Sequence, residues 1–110
     1  MDFVTHNTAK IDINYTHLQG YVDATYKRLK AVFGQPNKGD GYKVDAEWNI
    51  RFADGTVATI YNYKDGVNYL GRGEGTPKTE ITDWHVGGND KKAVDLVVAA
   101  LAGGVSTASL

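Results

Sequence analysis

From Tyr42 to Phe52 apolar and polar residues alternate without interruption. Tyr42, Val44, Ala46, Trp48, Ile50 and Phe52 occupy one parity, with Lys43, Asp45, Glu47, Asn49 and Arg51 between them. A period of two puts the first set on one face of a strand and the second on the other. Ala53-Asp54-Gly55 supplies turn chemistry, and Thr56 to Lys64 reads as the returning strand of a hairpin. Two registers compete. With a three-residue loop and a bulge, Ala58 and Ile60 share the face of Trp48 and Ile50. With Asp54-Gly55 alone turning, Val57, Thr59, Tyr61 and Tyr63 take that face instead, because a one-residue slip exchanges the faces. The first register is preferred: it buries Ile60 and leaves Tyr61 beside Arg51 on the polar side.

Around this hairpin the pattern predicts three further elements. Ile11, Ile13 and Tyr15 alternate with Asp12 and Asn14, which reads as a strand running to Gln19 or Tyr21. Asp23 is the expected cap of a helix whose stripe is Tyr26, Leu29, Val32 and Phe33, stopped by Gly34 and Pro36. The glycine-rich stretch from Asp65 to Thr79 reads as a long loop, and Glu80 to Val86 as a fourth strand. Asn89 is the expected cap of a last helix, with Asp90 in its first turn. Ala93, Val94, Val97, Val98 and Leu101 form its apolar stripe, and Gly103-Gly104 its end. Met1 to Lys10 is polar and patternless, a loose arm or an oligomer contact. The order β-α-β-β-β-α predicts an α+β fold: an antiparallel four-stranded sheet with two helices on one face. A single globular domain over 1–104 and a flexible tail over 105–110 complete the expectation.

Composition narrows the classes of function. At 110 residues, with 42% hydrophobic and 23% charged residues, the chain suits one soluble domain. A formal net charge of −1 argues against a globally basic nucleic-acid binder and against an acidic nucleic-acid mimic. The absence of cysteine removes disulfides, thiol nucleophiles and thiolate metal sites. Serine occurs only at Ser106 and Ser109, in the tail, and no apolar run reaches membrane-spanning length. His6, His17 and His85 lack metal-ligand spacing, so neither a metal nor a cofactor is expected.

Candidate chemistry concentrates in aromatic and cationic residues. Tyr61, Tyr63 and Tyr69 with Arg51 and Lys64 offer ring faces for a base and charge for phosphates, or equally cover a sheet edge or an oligomer interface. Gly71-Arg72-Gly73-Glu74-Gly75 fails the spacing of the common phosphate-loop fingerprints, yet Arg72 suits an anionic group. Trp84-His85 precedes Gly87-Gly88-Asn89. Taken alone Trp84 reads as core, since large aromatics are mostly buried, but beside His85 it is also a candidate for stacking on a base. The expected ligand-binding set is therefore Arg51, Tyr61, Tyr63, Lys64, Arg72, Trp84 and His85, with no catalytic residue. A small phosphodiesterase using His17 or His85 as base is the least favoured alternative.

Glu47-Trp48, Phe52-x-Asp54-Gly55-Thr56-x-Ala58-Thr59-Ile60-Tyr61 and Trp84-His85-x-Gly87-Gly88 together resemble a pattern of small phage-encoded proteins. The resemblance extends from about Thr16 to about Val97. That family is mostly of unknown function, so the resemblance speaks to origin more than to activity. By analogy it implies a non-enzymatic anti-defence protein of the Thoeris- or CBASS-inhibitor kind, acting in the cytoplasm of an infected bacterium. Such a nucleotide sponge is a homo-oligomer that sequesters a cyclic ADP-ribose-type or cyclic oligonucleotide signal without cleaving it. The implied partners are that small molecule and further copies of the chain, with neither nucleic acid nor membrane. The competing expectation is a protein–protein inhibitor of a host defence effector, similar in role to an anti-CRISPR.

Overall fold

The computed structural model describes residues 2–38, 43–71 and 73–103. Tyr42, Arg72, Gly104 and the tail 105–110, all subjects of expectations above, lie outside them. Among the described residues the elements are β1 (Phe3–Thr5), β2 (His17–Asp23), α1 (Tyr26–Phe33), β3 (Glu47–Phe52), β4 (Val57–Tyr61), α2 (Val67–Leu70), β5 (Asp83–Gly88) and α3 (Lys92–Leu101), with a 3-10 turn at Lys78–Glu80. The fold is α+β, as the pattern predicts, with five strands and three helices rather than four and two. The strands form one antiparallel sheet in the order β1-β3-β4-β5-β2.

The central hairpin adopts the preferred register. Trp48 faces Ile60 and Ile50 faces Ala58 across the ladder. Phe52 N–H donates to the Thr56 carbonyl and Gly55 N–H to the Phe52 carbonyl, closing a three-residue loop. Gly55 takes φ +91°, a conformation that a side chain would strain. Asp54 caps this turn by accepting from Thr56 N–H at 2.9 Å, and it pairs with Lys92 at the start of α3. The turn is thereby tied to the last helix.

α1 and α3 pack on one face of the sheet. Trp48, Ile50, Ile60, Trp84 and Val86 meet Leu29, Phe33, Ala93, Val97 and Ala100 in a single apolar cluster. Full burial of a Val, Leu, Ile or Phe among them contributes roughly 1.5–3 kcal/mol. Both tryptophans satisfy their indole N–H within the cluster: Trp48 donates to the Gly34 carbonyl at 2.7 Å, and Trp84 to the carbonyls of Ala24 and Ile81. Thr25, not Asp23, caps α1, its hydroxyl accepting from Arg28 N–H at 3.0 Å, because Asp23 is still in β2. Lys91 rather than Asn89 stands at the α3 cap, and Asp90 accepts from Lys92 N–H. Val98 is 48% exposed, and Ala100 turns inward in its place.

The larger differences lie before α1. The segment expected to be a loose arm contains β1, an edge strand that pairs Phe3 with Phe52 and Thr5 with Ile50. The alternation at Ile11, Ile13 and Tyr15 is not a strand. Tyr15 takes φ +65°, which breaks extended structure, and pairing starts only at His17. The glycine-rich loop carries the short α2, and the fourth predicted strand starts at Asp83, after the 3-10 turn.

Lys92 beside Asp54, together with the Thr56 N–H, lowers the Asp54 carboxyl from 3.8 to about 2. A carboxyl depressed on folding contributes stability above its unfolded value and loses it as pH falls through the folded one. Asp54→Asn is therefore expected to lower the melting temperature at pH 7, with the gap to the parent closing between pH 4 and pH 2 and narrowing in high salt. Thermal melts across that pH range check this.

Candidate functional site

β1 and β2 are consecutive in sequence but occupy opposite edges of the sheet. The connection 6–16 must therefore cross a face, and with α1 and α3 on one face it crosses the other. Its start is fixed by His6, whose Nδ1 accepts from Asn49 N–H at 3.3 Å and whose Nε2 lies 2.9 Å from the Gln35 carbonyl. Arg51, projecting from the open face, reaches the Lys10 carbonyl. At the far end the Asn89 amide donates to the Tyr15 carbonyl. This strap covers the middle of the sheet, which is why Thr59, on the face without helices, is only 5% exposed.

Beneath the strap lies a cleft of about 270 Å³, lined by Ile13, Thr16, His17, Leu18, Val44, Glu47, Thr59, Tyr61, Tyr63 and Gly87. Thr59 and Gly87 face each other across β4 and β5 and make its floor. A Cβ on Gly87 would stand 2.5 Å from the Thr59 hydroxyl and 3.5 Å from the Tyr61 ring, so glycine keeps that floor open. Along one side runs the cross-strand row Glu47–Tyr61–His85–Tyr21. Val44 is buried, as the alternation expects, but outside the cluster that holds Trp48: it walls the cleft, since regular pairing starts only at Glu47.

The row is an aromatic cluster. Tyr61 and His85 stack with ring centroids 5.4 Å apart and planes at 25°. Tyr21 and Tyr63 approach the imidazole edge-on at 5.0 Å and 6.0 Å. His85 Nδ1 is enclosed there without a hydrogen-bond partner, while Tyr21 and Tyr63 are 55% and 41% exposed. Burial, and secondarily the Glu47 carboxylate, raises the Tyr61 phenol above its ordinary 10.0, so it stays an O–H donor at neutral pH. Lys64, at φ +60°, holds its ammonium 5.3 Å from the Tyr63 ring and 5.8 Å from that of Tyr69.

Four of the seven predicted site residues thus come together: Tyr61, Tyr63, Lys64 and His85. Arg51 shares their face but not their place. It pairs with Val57 while Tyr61 pairs with Glu47, four residues along the strand, or roughly 13 Å. Arg51 lines a separate groove near the hairpin turn, with Phe3 and Val4. Trp84 is fully buried on the helix side and cannot stack on a ligand. Arg72 lies outside the described residues.

Most of the cleft lining, Glu47, Thr59 and Gly87 included, is absent from the predicted set, as are Tyr21, the strap and Asn62. Tyr21 joins the cluster only through β2–β5 pairing, which no local pattern encodes. The strap likewise follows from strand order. Asn62 had a readable signal: it stands two residues after Ile60, where alternation calls for an apolar side chain. It is fully buried. Its Oδ1 accepts from the N–H groups of Asp45 and Ala46, and its Nδ2 donates to the carboxylates of Asp45 and Asp65. Asp45 in turn accepts from Asn68 N–H. This polar knot fixes the segment that carries Val44 against the segment that follows Tyr63.

Comparison with protein-family models, with curated proteins and with solved structures returns no match. Among the described residues no helix is long and apolar enough to cross a membrane.

Asn62→Ala strips two backbone N–H groups and two carboxylates of a partner in a buried setting. The expected loss is about 2–4 kcal/mol of folding stability. Denaturant unfolding measures it, and a loss below about 1 kcal/mol would mean that the knot is not structural.

Proposed function

We propose that the protein is a nucleotide-binding protein that holds its ligand without cleaving it, with the base in the open-face cleft and the phosphates directed toward Lys64. The observation that supports this most is the aromatic row. Stacked and edge-on rings beside a walled cleft give a planar heterocycle a surface that aliphatic side chains do not. The cleft volume of about 270 Å³ lies just below the roughly 300–1,000 Å³ usual for small-molecule sites, a size for one nucleoside unit rather than a whole dinucleotide. The finer reading is sequestration of a cyclic nucleotide immune signal in an infected bacterium, as a phage counter-defence. Tyr21 belongs to the terminal strand β2, so a second copy docking along that edge in a homo-oligomer would meet the cluster.

One feature favours a second reading, a protein–protein inhibitor of a defence effector. Val4, Leu18, Tyr21 and Tyr63 are all exposed on the strap side of the sheet, where a protein partner would cover them.

Incubation with cyclic ADP-ribose isomers and cyclic dinucleotides, filtration, and mass spectrometry of what heat releases separate these readings. The expected result is intact ligand. Base stacking is worth about 1–3 kcal/mol, so Tyr61→Ala is expected to weaken binding roughly 5- to 150-fold. Altered product would make the protein an enzyme. A folded protein that retained none of the panel would turn the assignment toward a protein partner.

A further inference from the structure

A second cavity, of about 490 Å³, shares no lining residue with the open-face cleft. Its size falls within the roughly 300–1,000 Å³ usual for small-molecule sites. The walls are tied down from several sides. Asp45 belongs to the Asn62 knot, and Val67 and Asn68 follow Gly66, which bridges in parallel to Thr76. Gly75 packs so closely on this turn that a Cβ there would stand 2.5 Å from the Gly66 carbonyl oxygen. Pro77, Lys78 and Thr79 lead from that bridge into the 3-10 turn, where the Lys78 ammonium lies 5.9 Å from the Tyr26 ring of α1.

Donors outnumber acceptors around this cavity. Lys38 and Lys78 both line it, both are exposed, and neither forms an ion pair among the described residues. The Asn68 side-chain amide and the Thr79 hydroxyl likewise make no hydrogen bond there. Asp45 is the one carboxylate among the described lining residues, and both its oxygens are engaged. Oδ1 accepts from Asn62 Nδ2 at 3.1 Å and Oδ2 from Asn68 N–H at 3.3 Å. Two lysines against one carboxylate leave the lining positive. No aromatic ring is among the described lining residues, so a base finds no stacking surface.

We propose that this cavity binds a phosphorylated small molecule, held by its phosphoryl group. The Lys38 and Lys78 ammonium groups supply the charge for a phosphoryl dianion, and Asn68 and Thr79 supply further N–H and O–H donors. Val67 and Pro77 offer apolar contact to the rest of the ligand. The site is independent of the nucleotide reading of the cleft.

Isothermal titration of the intact protein with ribose 5-phosphate, in phosphate-free buffer at low ionic strength, tests this. Saturable binding is expected, with none for unphosphorylated ribose. The pair Lys38→Gln and Lys78→Gln is expected to weaken binding at least tenfold at an unchanged melting temperature, since both side chains are exposed. The pair Lys27→Gln and Lys91→Gln removes the same charge from exposed lysines outside the cavity and is expected to change the affinity less than twofold. Amide shifts on titration should fall at Asn68 and Thr79 and spare Thr59 and Gly87 of the cleft. No saturable binding, equal losses from the two lysine pairs, or shifts centred on the cleft would overturn the assignment.

Discussion

The placement of β1 and β2 at opposite edges of one sheet constrains everything that follows. Hairpin neighbours are joined by short turns, but these two strands are consecutive in the chain and separated in space by β3, β4 and β5. Their connection has to pass over a face, and α1 and α3 already occupy one. The strap on the other face is thus a consequence of strand order. It shields Thr59 and raises a wall over the sheet at Ile13 and Thr16. A flat polar sheet surface becomes a cleft.

Two further devices make that cleft definite. On the helix side the paired tryptophans lock the sheet, their rings 5.4 Å apart and edge-on, with each N–H satisfied by a backbone carbonyl. Beyond the end of β4 the buried Asn62 makes four hydrogen bonds to three residues, Asp45, Ala46 and Asp65, of two segments. A buried amide is stabilising only when its bonds are made, so this position admits few alternatives. The result holds Val44 and Tyr63 beside the cleft, while the floor depends on glycine at position 87. Packing on one face and polar satisfaction at one end therefore serve the geometry of the other face.

The sequence was readable where local pattern and tertiary environment agree. The hairpin register follows from alternation plus Ala53-Asp54-Gly55, α1 from its stripe and Gly34, and the clustering of Tyr61, Tyr63 and Lys64 from their spacing. It misled where a local pattern had another cause. Ile11 and Ile13 alternate with polar residues because the strap half-buries them and leaves Asp12 and Asn14 exposed, not because they pair. β1, at three residues, is too short to show a period. Arg51 shares a face with Tyr61, and parity gives the face but not the distance along it. Trp84 is drawn into the core by its parity with Val86, whereas His85 between them is turned to the open side. Tyr21 and the strap depend on which strands neighbour one another, information that lies in long-range pairing.

If the strap and the aromatic row together form one ligand site, as proposed, a ligand should perturb both at once. Chemical-shift mapping of the isotopically labelled protein during titration with the cyclic dinucleotides and cyclic ADP-ribose isomers of the binding panel makes this visible. Shifts are expected to concentrate at Thr59, Tyr61, His85 and Gly87 and to continue through Ile13 to Thr16, with ring-current effects on the Tyr21 and Tyr63 side chains. The groove beside Arg51 and the exposed side of α3 should stay unmoved. Shifts centred on Phe3, Arg51 and the hairpin turn, or none at saturating ligand, would contradict it.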